Sequence, residues 1–162
     1  MIGYPLSVGW VLRDQLLEGP APRTFAHVLH LRSAGIKAVL SLCRKDEAQP
    51  PVKLEQYFIS ARLALPDHRS RESMQVDQLL HALALLDFCS DYGPVYVHCL
   101  AGIERSPLVC MAWLMRRRRL TPLQALDYMS QSHPLSNPLP CQLSLLCLIS
   151  DMPQSTDYAF RA

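Results

Sequence analysis

The sequence predicts a single α/β domain with a central, largely parallel sheet of about four or five strands flanked by helices. Short apolar runs of strand length alternate along the chain with longer segments whose apolar residues recur at helical spacing. Glycine or proline separates many of these segments, as at Gly35 and at Gly93-Pro94. The 162 residues suffice to bury one core, so we expect one domain over residues 1–162.

The elements follow from this pattern in order. The predicted strands cover residues 10–12, 15–18, 36–42, 57–65 and 95–98. The predicted helices cover residues 25–34, the segment between Ser73 and Gly93, and residues 107–118, 122–132 and 141–149. Ser73 is expected to cap the second of these helices, and Thr121 with Gln124 forms a capping box for the fourth. A ligand site is expected beyond the C-terminal ends of the parallel strands.

Composition and charge exclude several functional classes. The net charge of +2 is too small to indicate nucleic acid or a membrane surface as a main partner. The six cysteines form no Cys-x2-Cys pair and no regular framework, which favours a reducing compartment over a disulfide scaffold or a zinc site. The N-terminus lacks the pattern of a signal peptide, and the uncharged run 133–150 contains three prolines, so we expect no membrane span. The prediction is a cytoplasmic protein.

The segment from Val95 to Ser106 carries the chemistry. An apolar strand leads into Cys99, and a short loop containing Gly102 leads to Arg105 and a helix. A loop that enters a helix N-terminus points its backbone N–H groups into a concavity that binds anions. There we expect the sulfur of Cys99 to be an ionised nucleophile, while the guanidinium of Arg105 fits two phosphate oxygens. The remaining residues of this predicted phosphate-binding loop are Leu100, Ala101, Gly102, Ile103 and Glu104.

The residue order in segment 98–107, HCLAGIERSP, resembles the signature of the cysteine-dependent protein tyrosine phosphatases, and most closely that of the small dual-specificity phosphatases. The resemblance implies hydrolysis of phosphate monoesters through a cysteinyl-phosphate intermediate, without a metal or other cofactor. It implies phosphorylated proteins or peptides as substrates, on tyrosine and on serine or threonine. It also implies that His98 orders the loop.

A proton donor for the leaving oxygen must come from another segment. Asp67 is the best candidate, because it follows a predicted strand and Pro66 and precedes Cys99 by 32 positions. Dual-specificity phosphatases carry their acid in a comparable loop. A turn residue after proline is the alternative explanation for Asp67, and Glu72 and Asp77 are lesser candidates.

Four other features remain open at this point. Ser106 can donate a hydrogen bond to the Cys99 sulfur, cap the following helix, or do both. Glu104 places a carboxylate inside a loop for a dianion, so it is expected to point outward, toward the substrate or toward Arg69 or Arg71. Cys43 ends a predicted strand and is either a core cysteine or a redox partner of Cys99. The run 116–119, four arginines, is either a solvated helix end or a polyanion-binding surface.

Three other functions compete with a protein phosphatase. One is a phosphatase for phosphoinositides, sugar phosphates or RNA 5′ ends. Another is a catalytically weak module that binds phosphopeptides. A rhodanese-like sulfur transferase also places a cysteine between strand and helix, but Arg105 and Asp67 favour phosphate chemistry. The oligomeric state is not predicted.

Overall fold

The computed structural model describes residues 5–152. Its strands are β1 (Gly9–Leu12), β2 (Leu16–Gly19), β3 (Ala38–Ser41), β4 (Ile59–Arg62) and β5 (Val95–His98). Its helices are α1 (Phe25–Ser33), α2 (Leu54–Tyr57), α3 (Val76–Ser90), α4 (Arg105–Arg118), α5 (Pro122–Ser132) and α6 (Pro140–Ser150). The N-terminal residues 1–4, on which the signal-peptide prediction partly rests, lie outside this range, as does the end of the predicted domain 1–162.

The strands form one sheet in the order β1-β2-β5-β3-β4. β1 is antiparallel to β2, whereas β2, β5, β3 and β4 are parallel neighbours. The predicted α/β fold with a largely parallel sheet is therefore confirmed. In the centre of the sheet, His98 of β5 pairs with Gly19 on one side and Ser41 on the other. The segments that follow β2, β5 and β3 therefore lie together at the C-terminal edge of the sheet, where a ligand site was expected.

Side chains alternate between two cores because successive residues of a strand point to opposite faces. Val95 and Val97 of β5 join the larger core under α3, α4, α5 and α6, while Tyr96 packs with α1 on the other face. Helix α4 is buried from Arg105 to Met115, and its partners include both α5 and the sheet. This burial explains its nearly continuous apolar sequence.

The element boundaries differ from the prediction in a few places. Ser73 does not cap α3; Gln75 does, in a reciprocal arrangement with Gln78. The strand expected from residue 57 begins at Ile59, because residues 54–57 form the short helix α2. Ser106 is not a helix cap either. Helix α4 begins at Arg105, two residues before the predicted start at 107, and Glu104 occupies the cap position. Tertiary packing decides such boundaries, and local propensity decides them only weakly.

The arginine run ends α4. Arg116 lies 3.4 Å from the carboxylate of Asp87, and the guanidinium of Arg117 stacks 5.6 Å from the ring centre of Trp113. Arg119 adopts a left-handed conformation at the end of the helix. Cations at a helix C-terminus also complement its dipole. Within residues 5–152, none of the helices combines the length and the apolar character needed to cross a bilayer.

Candidate active site

The loop between β5 and α4 begins at Cys99, whose side chain is buried, and it turns at Gly102 with φ of +70°. A Cβ atom on Gly102 would lie 2.6 Å from the carbonyl carbon of Gly19 and 2.9 Å from the nitrogen of Pro20. Only a glycine fits both this backbone conformation and this close approach to the end of β2. The sequence pattern and the structure therefore agree on why this loop needs its glycine.

The loop backbone is tied to its neighbours through carbonyl groups. The carbonyl of Leu100 accepts a hydrogen bond from the amide of Ala21, and that of Ile103 accepts one from the amide of Asn137. In a planar trans peptide the N–H points away from the C=O. The amides of Ala101 and Glu104 therefore face the opposite side, which suits a bound oxyanion.

Arg105 is buried and held by three segments at once. Its Nη1 donates to the carbonyls of Leu42 at 3.3 Å and Leu65 at 3.1 Å. Its two terminal nitrogens also donate to the carboxylate of Glu47, at 2.9 and 3.2 Å. This fixes the guanidinium next to the Cys99 loop in one orientation.

Glu47 was missed by sequence reasoning. It lies in the charged loop after β3, 58 positions from Arg105, and no motif spacing marks it. Burial alone would raise the pKa of Glu47, but hydrogen bonds from Arg105 and from the amide of Arg44 lower it below its ordinary value. Glu47 is therefore a carboxylate at neutral pH and the counter-ion of Arg105.

Ser106, in the first turn of α4, lies directly behind the nucleophile. Its buried Oγ is 3.2 Å from the sulfur of Cys99. It is also 2.5 Å from Oε1 of Glu18, a buried residue of β2 that sequence reasoning missed. The second oxygen of Glu18 lies 3.3 Å from Nδ1 of His133. Of the two roles considered for Ser106, the structure excludes the helix cap and places the hydroxyl at the sulfur.

Asp67 lies in the same cleft as Cys99. Its carboxylate accepts hydrogen bonds from Nε and Nη2 of Arg69 at 3.0 and 2.6 Å, and it lies 3.5 Å from Nη2 of Arg105. Burial opposes ionisation of Asp67, but the hydrogen bonds of Arg69 and the charge of Arg105 outweigh it and lower the pKa of Asp67 to about 2. Asp67 is thus a carboxylate at neutral pH. Glu72 and Asp77 are exposed and do not line this cleft.

The sequence suggested Arg69 or Arg71 as partners of Glu104, but its carboxylate has other partners in the structure. Its carboxylate accepts a hydrogen bond from Nδ1 of His68 at 2.7 Å and another from Nε2 of Gln142 at 2.7 Å. These two partners lie on the Asp67 loop and on α6. Glu104 therefore joins the loop of the candidate acid to the phosphate-binding loop.

His98 is buried at the end of β5. Burial lowers its pKa to about 4, so the ring is neutral at neutral pH. Its Nδ1 donates to the carbonyl of Cys99 at 3.0 Å, a contact that suits the loop-ordering role expected for it.

Cys43 lies two residues beyond β3 and is fully buried, with its sulfur 3.6 Å from Oγ of Ser41. It packs against Leu100, the residue after the nucleophile. Cys43 and Cys99, both in the described part of the chain, are free thiols here. Reversible oxidation between them stays a prediction.

The cleft above Cys99 has a volume of about 330 Å³. Its charged lining residues are Asp67, Arg69, Glu104 and Arg105, and its apolar wall comes from Ile103 and Leu139. The cleft thus combines the predicted nucleophile, cations that can hold an anion and an apolar surface that can hold an organic group.

The chain is similar to dual-specificity phosphatases over most of its length. The profile of the family "Dual specificity phosphatase, catalytic domain" matches residues 24–150. The human dual specificity protein phosphatase 2 is 32% identical over 109 residues, and the mouse dual specificity protein phosphatase 1 is 38% identical over 110. Each alignment covers 67% of this chain, but 33% and 28% of the respective relative. The aligned region is thus a third or less of these two relatives.

Solved structures show the same fold. The crystal structure of PTPMT1 in complex with PI(5)P superposes with a TM-score of 0.76 at 17% identity, covering 88% of this chain and 94% of that chain. The human tyrosine phosphatase-like serine/threonine/tyrosine-interacting protein gives a TM-score of 0.75 at 20% identity, covering 87% and 93%.

Proposed function

The chain belongs to the dual-specificity phosphatase family, and we propose that it hydrolyses phosphate monoesters through Cys99. The observation that carries this proposal is the convergence of the Cys99 sulfur, the fixed Arg105 guanidinium and the Asp67 carboxylate on one cleft. Cys99 and Arg105 come from one loop and Asp67 from a separate segment, and phosphate-ester cleavage needs all three groups.

In the first step the sulfur of Cys99 attacks phosphorus. The S–P bond forms as the bond to the leaving oxygen breaks, and Asp67 gives that oxygen a proton. Arg105 and the loop amides hold the remaining phosphate oxygens, whose charge is spread in the transition state. Because Arg105 is already held by Glu47 and two carbonyls, little reorganisation is needed at the moment of reaction.

In the second step water replaces the sulfur on phosphorus. Asp67, now a carboxylate, takes a proton from the attacking water, and the electrons of the S–P bond return to Cys99. A thiolate is a better leaving group when it accepts a hydrogen bond. The hydroxyl of Ser106, 3.2 Å away, is placed to donate one.

Asp67 must carry a proton for the first step, although its low pKa leaves it ionised beside Arg69 and Arg105. A phosphate dianion close to Arg105 would repel the carboxylate and compete for the same cations. Both effects favour protonation of Asp67. Substrate binding is therefore expected to protonate the acid and to loosen its pair with Arg69.

Phosphorylated proteins are the proposed substrates, on tyrosine and on serine or threonine. The cleft that contains Cys99 supports this, because it offers room for an organic group beside the phosphate-binding loop. The apolar wall at Ile103 and Leu139 suits the non-phosphate part of a residue. The relatives named as dual specificity protein phosphatases support a protein substrate as well.

A substrate panel tests this proposal. Purified protein is assayed on p-nitrophenyl phosphate, on phosphotyrosine and phosphothreonine peptides, and on phosphoinositides, with Cys99→Ser as the inactive control. Phosphate release from both peptides by the wild type supports the proposal. Release only from the lipid would identify phosphoinositides, and not proteins, as the substrate class. The similar structure of PTPMT1 was solved in complex with PI(5)P. Lack of turnover on every member of the panel would favour a binding module.

We also propose a cytoplasmic location. All six cysteines, each in the described range, are free thiols, and Cys99 must stay reduced to attack phosphorus. Fractionation of cells that express the tagged protein would test this location.

A further inference from the structure

Glu18 is a buried carboxylate directly behind the nucleophile. Its side chain is 2% exposed, and it follows Leu16 and Leu17 in a strand that is otherwise apolar or glycine. A buried charge is costly unless it is paired and hydrogen-bonded. Within residues 5–152, the polar side chains that contact its carboxylate are the hydroxyl of Ser106, at 2.5 Å, and the ring of His133, at 3.3 Å.

Ser106 stands between two groups that both need its proton. Its Oγ is 2.5 Å from Oε1 of Glu18 and 3.2 Å from the sulfur of Cys99. A hydroxyl has one proton to donate. When Glu18 is ionised, the short charge-assisted bond takes this proton, and the sulfur loses a donor. When Glu18 carries a proton, it donates to Oγ, and Ser106 is free to donate to a thiolate.

The other groups that face Glu18 do not neutralise it. Burial first, and then the charges of Glu18 and Cys99, raise the pKa values of Tyr96 on β5 and Cys110 on α4 well above their ordinary values, so both stay uncharged. On the third side, Nε2 of His133 is buried without a hydrogen-bond partner in the described structure. An imidazolium would bury an unpaired N–H there, so the neutral ring with its proton on Nδ1 fits best.

His133 has little room to change this arrangement. A Cβ atom on Gly9 of β1 would lie 2.6 Å from Cε1 of the imidazole, so the ring is packed against bare backbone. Glu18 therefore accepts from the neutral ring of His133 on one side. On its other side lies Ser106, which also contacts the sulfur of Cys99. Two negative charges across a single hydroxyl repel each other in a water-poor interior.

We propose that Glu18 is a positioning residue that controls the ionisation of Cys99 through Ser106, and that the reactive state has a thiolate at Cys99 and a proton on Glu18. The proposal rests on Cys99 being the nucleophile of the proposed function. In the transfer the S–H bond of Cys99 breaks and its electrons stay on sulfur. Oγ of Ser106 receives that proton and passes its own to Oε1 of Glu18, so charge and atoms balance.

The proposed coupling between Glu18 and Cys99 can be measured on the thiol itself. The test is the rate of iodoacetamide reaction with Cys99 from pH 4 to 10, followed by mass spectrometry of the peptide that contains it. This measurement needs no substrate. A failure of the proposed phosphatase activity is thus distinguished from a failure of this coupling.

Glu18→Gln is the informative variant, because its amide can accept from His133 and donate to Ser106 permanently. We expect its alkylation curve to be a single titration with a midpoint about one pH unit or more below that of the wild type, a roughly tenfold change in thiolate fraction. The control Asp127→Asn removes one exposed negative charge on α5 and should leave the curve unchanged. Superimposable wild-type and Glu18→Gln curves would overturn the proposal.

Two more variants keep the test decisive. If Glu18→Gln does not fold, Glu18→Leu removes the charge with an apolar side chain like those of its neighbours, and the same shift is expected. In a Ser106→Ala background the effect of Glu18→Gln should shrink by more than half, because the shared hydroxyl is gone. An undiminished effect there would show that the two anions act through space and would overturn the role of Ser106.

Discussion

Glu47 and Arg105 meet in a paired geometry, with both carboxylate oxygens facing both terminal guanidinium nitrogens at 2.9 and 3.2 Å. Both side chains are almost fully buried. The pair fixes the plane of the guanidinium, and that plane decides whether Arg105 can reach two phosphate oxygens together. An acidic residue outside the signature segment thus positions the arginine of the proposed mechanism.

Glu47→Gln should lower kcat/KM on p-nitrophenyl phosphate by roughly ten- to hundredfold, since a hydrogen bond to a charged group contributes about 1.5–3 kcal/mol. Arg105 would keep its two carbonyl acceptors and Asp67 at 3.5 Å, but it would lose the nearer carboxylate of Glu47. The matched control is Asp46→Asn, because Asp46 is exposed and pairs with Arg44 on the surface. Equal losses in both variants would argue against the positioning role of Glu47.

Arg69→Gln should move the basic limb of the pH–kcat profile, which reports the substrate complex, to higher pH for a poor leaving group such as phenyl phosphate. Arg69 lowers the pKa of Asp67, so its removal raises that pKa, and the acid keeps its proton to higher pH. The control Arg71→Gln removes the same charge from an exposed site in the same loop. If the basic limb moves equally in both variants, or in neither, Asp67 is not the acid that Arg69 controls.

His68→Ala should slow the cleavage of phenyl phosphate more than that of p-nitrophenyl phosphate. His68 holds the Asp67 loop to Glu104 at 2.7 Å, and only a poor leaving group depends strongly on a well-placed acid. We expect a three- to tenfold difference between the two substrates, about 0.7–1.4 kcal/mol. His30→Ala, on the exposed face of α1, is the control. The same loss on both substrates would instead indicate damage to the phosphate-binding loop.

Gly102→Ala should be more destabilising than Gly35→Ala. Both glycines have positive φ, which costs an alanine about 1–2 kcal/mol. Around Gly35 an added Cβ meets no atom within 4 Å, whereas at Gly102 it meets the backbone of Gly19 and Pro20. We expect an additional loss of about 1–3 kcal/mol at Gly102, measured by urea unfolding, together with loss of turnover. Equal unfolding free energies would show that the loop moves freely away from β2.

The prediction from sequence was most accurate for the fold class and for local geometry that depends on contiguous residues. Segment 98–107 contains a nucleophile, a loop glycine and an arginine within one strand–loop–helix unit, so their mutual placement follows from local geometry. The alternation of apolar strands and helices was likewise enough for the fold class, because burial of one face determines both periodicities.

The tertiary structure alone decided the partners of these groups. Glu18 and Glu47 lie 88 and 58 positions from the residues that they contact, and no spacing links them. They come together because parallel pairing places the ends of β2, β3 and β5 at one edge. The sequence by itself therefore determined which atoms are available to react, since covalent order fixes the loop. Folding determined the charges around those atoms, since electrostatic partners are chosen by distance in space and not along the chain.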